Sequence, residues 1–387
     1  MSGASAARSE AKPSEVNKEG ASSRAWCGDA ARSEAKPSEV EQAPQCAGHS
    51  ADRAGRAVTE GRVRPLSLGL SLAAPSTPQG WQRAFSLAAR ADALGLHSLW
   101  LPEHHFDHGA TSAPLAVLAA FAVRTKRVRL ATTSLLLPLH HPLRLAAEIA
   151  SLDALSGGRA LIGLGRGFRA SVFAAFGVET SVKRDRFDES LDAMLAAWSG
   201  EPIALTGLHF GAKPGESLRL ALAPVQRPHP PLVVAAFGKK GLLQAARRAL
   251  PYLASPLESL ASLAENYALW ESERSGEPPA GTPRVPVMRT VYVAANDAEA
   301  QRVFEALSGD ALAAARRAPP ALARAAAEPM QARVIVGSAG FVRDEIARYR
   351  ERIGMDLLVA RTEVPGASEA ERDAALERLA ELAPSLA

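Results

Sequence analysis

From residue 65 onward the apolar residues follow two alternating rhythms. Short unbroken apolar runs give way to stretches in which apolar side chains recur every three or four positions. The runs are PLSLGLSL (65–72), HSLWL (97–101), VRLAT (128–132), ALIGLG (160–165), PLVVAAF (231–237), PYLAS (251–255), VPVMRTVYVA (285–294) and DLLVA (356–360). Each reads as a strand apolar on both faces, as parallel strands covered by helices must be. The intervening stretches read as helices. Trp81, Phe85, Leu87, Ala88, Ala91 and Leu94 mark one that Gly95 ends, and Pro142 opens another that Ser156-Gly157-Gly158 stops. Helical spacing also covers 114–123, 184–198, 240–249, 257–273, 297–313, 338–352 and 368–382. Eight β–α units in about 320 residues predict an α/β chain folded as a (β/α)8 TIM barrel with insertions. Residues 201–230 are less regular, with a candidate hairpin of 203–209 against 217–222, and the Ala-, Arg- and Pro-rich stretch 314–331 reads as a mobile insertion.

The first 62 residues share none of this rhythm. ARSEAKPSEV occurs at 7–16 and again, unchanged, at 31–40, with one valine in ten letters. Such a segment buries too little apolar surface to offset the entropy of ordering it, so 1–62 is expected to be a disordered low-complexity tail ahead of a domain at 63–387. Acidic and basic residues balance within the tail, which leaves the net charge of +4 to the domain. That surplus is too small to suggest nucleic acid. Cys27 and Cys46, both in the tail, exclude a disulfide scaffold and a thiolate metal cluster. There is no run of eighteen apolar residues and no apolar leader, so a cytoplasmic protein without a membrane segment is expected.

In a barrel of this kind the chemistry lies where strands end and loops begin. Glu103-His104-His105 follows the second strand, and histidine exchanges protons near neutral pH. Strand alternation lets Glu103 and His105 share a face that His104 does not. A metal would need a further Asp or His grouping, and none stands at the other strand ends, so no metal is expected. A purely structural role for these polar groups stays open. Ala131-Thr132-Thr133-Ser134 offers small residues beside which a flat ring fits. Gly163-Leu164-Gly165-Arg166-Gly167 allows close backbone approach and ends on a guanidinium. Phe237-Gly238-Lys239-Lys240-Gly241 feeds a helix N-terminus, where free N–H groups suit a phosphate.

These residues, in this order, resemble the bacterial luciferase-like monooxygenases, flavin-dependent (β/α)8 barrels, from about Pro65 to Pro384. The resemblance is carried by LGLHSLWLPEHHF, by RTKRVRLATTSLLLPLHHPLRLAAEIASLDALSGGRALIGLGRGF, by FGVETSVKRDRFDESLDAMLAAW and by the terminal VIVGSAGFVRDEIARYRERIGMDLLV. It implies reduced FMN supplied by a separate flavin reductase, or in one branch a deazaflavin, and a small organic substrate oxidised with O2. His104 resembles the active-site histidine of luciferase-type members. Thr133 and Ser134 match the pair on which the isoalloxazine packs, often through a non-proline cis peptide. Arg166 and Arg184 match arginines facing the flavin phosphate. Gly238 and Gly241 fall where hydroxyl residues often hold that phosphate, which here leaves the task to backbone N–H groups, Lys239 and the arginines. Val172 replaces a common glutamate, and Gly165 stands where luciferase has a reactive cysteine, which argues against light emission. Hydride transfer to or from a deazaflavin and a catalytically inactive flavin-binding barrel are the alternatives. A homodimer is the oligomer the resemblance implies.

Overall fold

The computed structural model describes residues 64–386 apart from 73–74, 76, 107–110, 204–206, 212–217 and 316–326. The expected tail, and most of the 314–331 insertion, lie outside the described residues. Every ladder between named strands is parallel. The strands are β1 (Ser67–Ser71), β2 (Ser98–Leu101), β3 (Arg129–Thr132), β4 (Leu135–Leu136), β5 (Ala160–Gly165), β6 (Leu232–Ala235), β7 (Tyr252–Leu253), β8 (Pro286–Val293), β9 (Val334–Gly337) and β10 (Leu357–Arg361). Hydrogen bonding runs in the order β7-β6-β5-β3-β2-β1-β10-β8-β9, with β4 also on β5. The sheet curls so far that Ala254, just past β7, forms a parallel bridge to Val287 of β8.

Every stretch with predicted helical spacing is a helix, and a further short helix at Ala170–Ala175 is one the spacing does not predict. The helices are α1 (Pro78–Ala93), α2 (Pro114–Ala122), α3 (Pro142–Ser156), α4 (Ala170–Ala175), α5 (Lys183–Trp198), α6 (Lys239–Arg247), α7 (Leu260–Glu273), α8 (Asp297–Ala315), α9 (Ala339–Ile353) and α10 (Glu369–Leu382). Local chemistry fixes several ends. Thr77, Ser259, Ser338 and Ser368 cap their helices by accepting a backbone N–H, and Gly157 and Gly354 close α3 and α9 in the left-handed region. Of the expected 203–209 hairpin, the described residues contain one antiparallel bridge, Ile203 to Leu218.

Two apolar clusters occupy opposite faces of the sheet. The larger, which includes Leu68, Leu70, Leu99, Ile162, Val234 and Leu358, packs against the helices. The smaller, on the inner face, joins Trp100, Ala131, Leu161, Val233, Leu253, Met288, Leu357 and Val359, side chains from seven strands. β1 contributes Gly69 there. A Cβ on Gly69 would stand 2.6 Å from Ser98 Oγ and 2.8 Å from Trp100 Nε1, so the indole occupies the space. The inner cluster plugs the hollow and leaves its C-terminal rim to other residues.

Candidate active site

The rim is assembled from neighbouring strand ends. Between β3 and β4 the chain takes four steps, Ala131 to Leu135, while β5 takes three, Leu161 to Leu164, so one extra residue bulges at Thr132–Ser134. The Thr132 hydroxyl replaces the lost ladder: it accepts from the Gly163 N–H and donates to the Gly163 carbonyl, both at 2.9 Å. Position 163 must be glycine, because a Cβ there would overlap the Thr132 carbonyl. The Thr133–Ser134 peptide is cis. Ser134 is set so close over Gly165 that a Cβ on Gly165 would overlap its hydroxyl. The expected pair and the glycine pattern are thus brought into contact at one place on the rim.

Next to it lies a buried carboxylate. Glu103 is 1% exposed and accepts three sets of N–H bonds: from His105 Nε2 at 2.8 Å, from His140 Nε2 at 2.9 Å to both oxygens, and from the Leu136 backbone at 2.6 Å. Burial pushes this carboxyl's pKa up, but the bonds from His140, Leu136 and His105 outweigh burial and leave it below the ordinary value. The Glu103 N–H also points at the Ser134 carbonyl, 3.4 Å away, which ties the second strand end to the bulge. His104 faces the other way, as alternation requires; its side chain is exposed and its N–H donates to the Thr111 carbonyl at 3.0 Å. Among the described residues no group of three His, Cys, Asp or Glu side chains is arranged to hold a metal. His105 stacks with Phe176 at 4.7 Å and Phe106 at 5.9 Å, and Phe106 is 74% exposed, so an aromatic ledge stands beside the carboxylate.

Beyond β5 the charge is positive. Arg166, half-buried, lies against the first turn of α6, where a Cβ on Gly241 would overlap its guanidinium. Its Nη1 donates to Gln244 Oε1 at 3.3 Å, and Gln244 Nε2 donates in turn to Asp188 at 2.8 Å and to the Arg184 carbonyl at 3.2 Å. Burial lowers the Arg166 pKa, the Arg184 charge lowers it further, and Asp188 opposes both. Lys183 Nζ donates to the Gly167 carbonyl at 3.3 Å, and its pKa is lowered by burial and by repulsion from Arg166 and Arg184. None of Arg166, Lys183 and Arg184 forms an ion pair among the described residues, since Asp188 pairs with Arg248. Gly238, with φ +73°, caps α6 without a side chain; Lys239 and Lys240 begin that helix and are exposed. Arg166, Lys183 and Arg184 thus gather three mutually repelling cations near the start of α6. The sequence pointed to Arg166, Arg184, Gly238 and Lys239. It did not reveal Lys183, Gln244 or His140, whose parts depend on distant elements meeting.

Residues 66–356 match a family profile described as luciferase-like monooxygenase. The protein y4wF of Sinorhizobium fredii is 39% identical over 151 residues, 39% of this chain and 43% of that one. The oxygenase component of flavin-dependent trigonelline monooxygenase from Acinetobacter baylyi is 32% identical over 161 residues, 41% of this chain and 44% of that one. The matches therefore span less than half the length of these curated relatives. Among solved structures, monooxygenase RslO1 from Streptomyces bottropensis superposes with a TM-score of 0.71 at 29% identity, covering 83% of this chain and 100% of that one.

Proposed function

The chain belongs to the luciferase-like monooxygenase family, and from that premise we propose that it is the oxygenase half of a two-component flavin-dependent monooxygenase acting on a small organic substrate. We read the curled sheet, with its Ala254–Val287 bridge, as a closed (β/α)8 barrel whose C-terminal rim takes reduced FMN. The observation that carries this reading is the cation cluster of Arg166, Lys183 and Arg184 at the start of α6, which repels itself and lacks a carboxylate partner of its own. A phosphate is the anion that suits it, held by these side chains, by Lys239 and by N–H groups of the α6 first turn. The relative in Acinetobacter baylyi, named as a flavin-dependent oxygenase component, supports both the cofactor and a separate reductase.

The cradle fits a flat ring. Gly163 and Gly165 let the bulge lie directly on β5, Gly163 under the Thr132 carbonyl and Gly165 under the Ser134 hydroxyl, and the small Thr133–Ser134 pair it carries is the platform for that ring. Bound reduced flavin supplies the electrons with which O2 is activated for oxygen transfer. The chain's own groups position and shield. Glu103 fixes the ring orientations of His105 and His140 through their Nε2 atoms. His104 stands on the exposed side of the same strand end, where it meets solvent and incoming substrate and acts as the proton-handling group. Phe106, Phe176 and His105 form an apolar ledge that keeps water from the rim.

Anaerobic titration with reduced FMN and, separately, with a reduced deazaflavin tests the reading. One equivalent of reduced FMN is expected to bind, followed by O2 uptake when air is admitted. Preferential binding of the deazaflavin would mean hydride transfer instead, and binding of neither would remove the flavin from the account.

A further inference from the structure

The rim wall opposite the cation cluster carries a charge with no assigned task. On β10, Leu357 and Val359 belong to the inner cluster, and strand alternation places Arg361 next on that inner face, at the rim. Its register partners are Ser71 on β1 and Thr290 on β8. Both sit on the inner face too: Ser71 is two residues beyond Gly69, which abuts the Trp100 indole, and Thr290 is two beyond Met288 of the inner cluster. One level of the rim therefore presents a guanidinium flanked by two hydroxyls.

Arg361 has no hydrogen bond or ion pair among the described residues. Its side chain is open to solvent, yet the protein packed around it depresses its pKa by desolvation, with no carboxylate close enough to offset the effect. Its exposed guanidinium, on the inner face at the end of β10, therefore faces the mouth of the sheet. Arg289, on the outer face of β8, shows the contrast: it is fully buried and donates to the Ser255, Met288 and Glu258 carbonyls and to the Tyr349 hydroxyl. In the ring order β1-β2-β3-β5-β6-β7-β8-β10, β10 lies four strands from β5, which Arg166 follows. The two arginines therefore stand on opposite walls, and Arg361 is no part of the phosphate cluster.

We propose that Arg361, with Ser71 and Thr290, forms the anion subsite for the substrate, taking a carboxylate on the wall facing the flavin. A guanidinium presents two parallel N–H donors that match the two oxygens of a carboxylate, and the flanking hydroxyls donate to the same oxygens. The substrate class is then an organic acid whose remainder extends toward the inner rim. The proposal takes the reaction from the flavin reading, but the subsite is built from residues that reading does not use.

Calorimetric titration tests it with benzoate and octanoate against the uncharged benzamide and octanamide, each on flavin-free protein and on protein holding reduced FMN. At least one acid is expected to bind ten-fold or more tightly than its amide. R361M should abolish that preference and R361K should keep part of it, both with unchanged thermal midpoint and unchanged affinity for reduced FMN. Acids binding no better than amides in the parent protein, or an acid preference that survives R361M, would overturn the proposal. So would a loss of reduced-FMN affinity in R361M, which would assign the guanidinium to the cofactor. A parent protein that prefers the acids but does not bind reduced FMN would sink the flavin reading and leave this subsite standing.

Discussion

Three N–H groups converge on the Glu103 carboxylate, and a side chain with a single acceptor oxygen does not satisfy them. E103Q turns one oxygen into a donor that faces donors, so the protein is expected to lose about 2 kcal/mol of stability, read as a lower midpoint in urea unfolding. A second residue sets a pH response far from the rim. The Trp100 indole donates to Ser98 Oγ at 2.7 Å, and that hydroxyl's own proton is left for His97 Nδ1 at 3.0 Å, which must then be unprotonated. Burial, with a smaller contribution from the Arg129 charge, pulls the His97 pKa down to about 4, below its ordinary value near 6.5. The unfolded chain therefore takes up the proton first as pH falls. Stability from this group is full above pH 6.5 and declines between 6.5 and 4, by roughly 3 kcal/mol in all. H97N should flatten that part of a stability-against-pH curve; an unchanged slope would place the titration elsewhere. Alternation along the second strand end was enough to foresee that Glu103 and His105 share a face and His104 does not. His140 was not legible, because its approach to Glu103 depends on how the chain after β4 folds back over the rim.

Elements were legible where apolar runs were long. All eight expected strands are present, close to their expected limits. The two strands missing from that reading are β4 and β9, and each exists because of a neighbour. β4 is two residues long and is created by the bulge that shifts the chain along β5. β9 pairs with Thr290–Val293, the outer half of an eight-residue β8 whose other edge holds β10 through Pro286–Thr290. Neither dependence leaves a mark in local periodicity. The bulge also yields a prediction at this scale. G163A would force a Cβ into the Thr132 carbonyl and disrupt both hydrogen bonds of the Thr132 hydroxyl, at a cost of about 3 kcal/mol. Thermal unfolding of G163A beside G177A, a glycine with open space around it, separates this collision from a generic glycine effect. G177A tests its φ of +66° alone and should cost less.

For the molecule as a whole, the approach of β7 to β8 is the weak line, since among the described residues one bridge, Ala254 to Val287, joins them. Arg289 reinforces it by binding carbonyls on both sides, from Ser255 and Glu258 beyond β7 and from Met288 on β8. R289M would leave those acceptors buried and unpaired, and the expected result is a loss of at least about 3 kcal/mol with amide exchange rising first along β7 and β8. A lone arginine in an apolar run gave no sign of this role, because the Ser255 and Glu258 carbonyls it binds lie more than thirty residues earlier in the chain. At the rim, the proposed function requires that the repelling cations after β5 receive a phosphate. The most direct measurement compares the affinities of reduced FMN and reduced riboflavin, which differ by that phosphate alone, in the parent protein and in R166M. FMN is expected to bind at least ten-fold more tightly than riboflavin in the parent, and R166M to remove most of the difference. Equal affinity for the two flavins in the parent protein would contradict the proposed function.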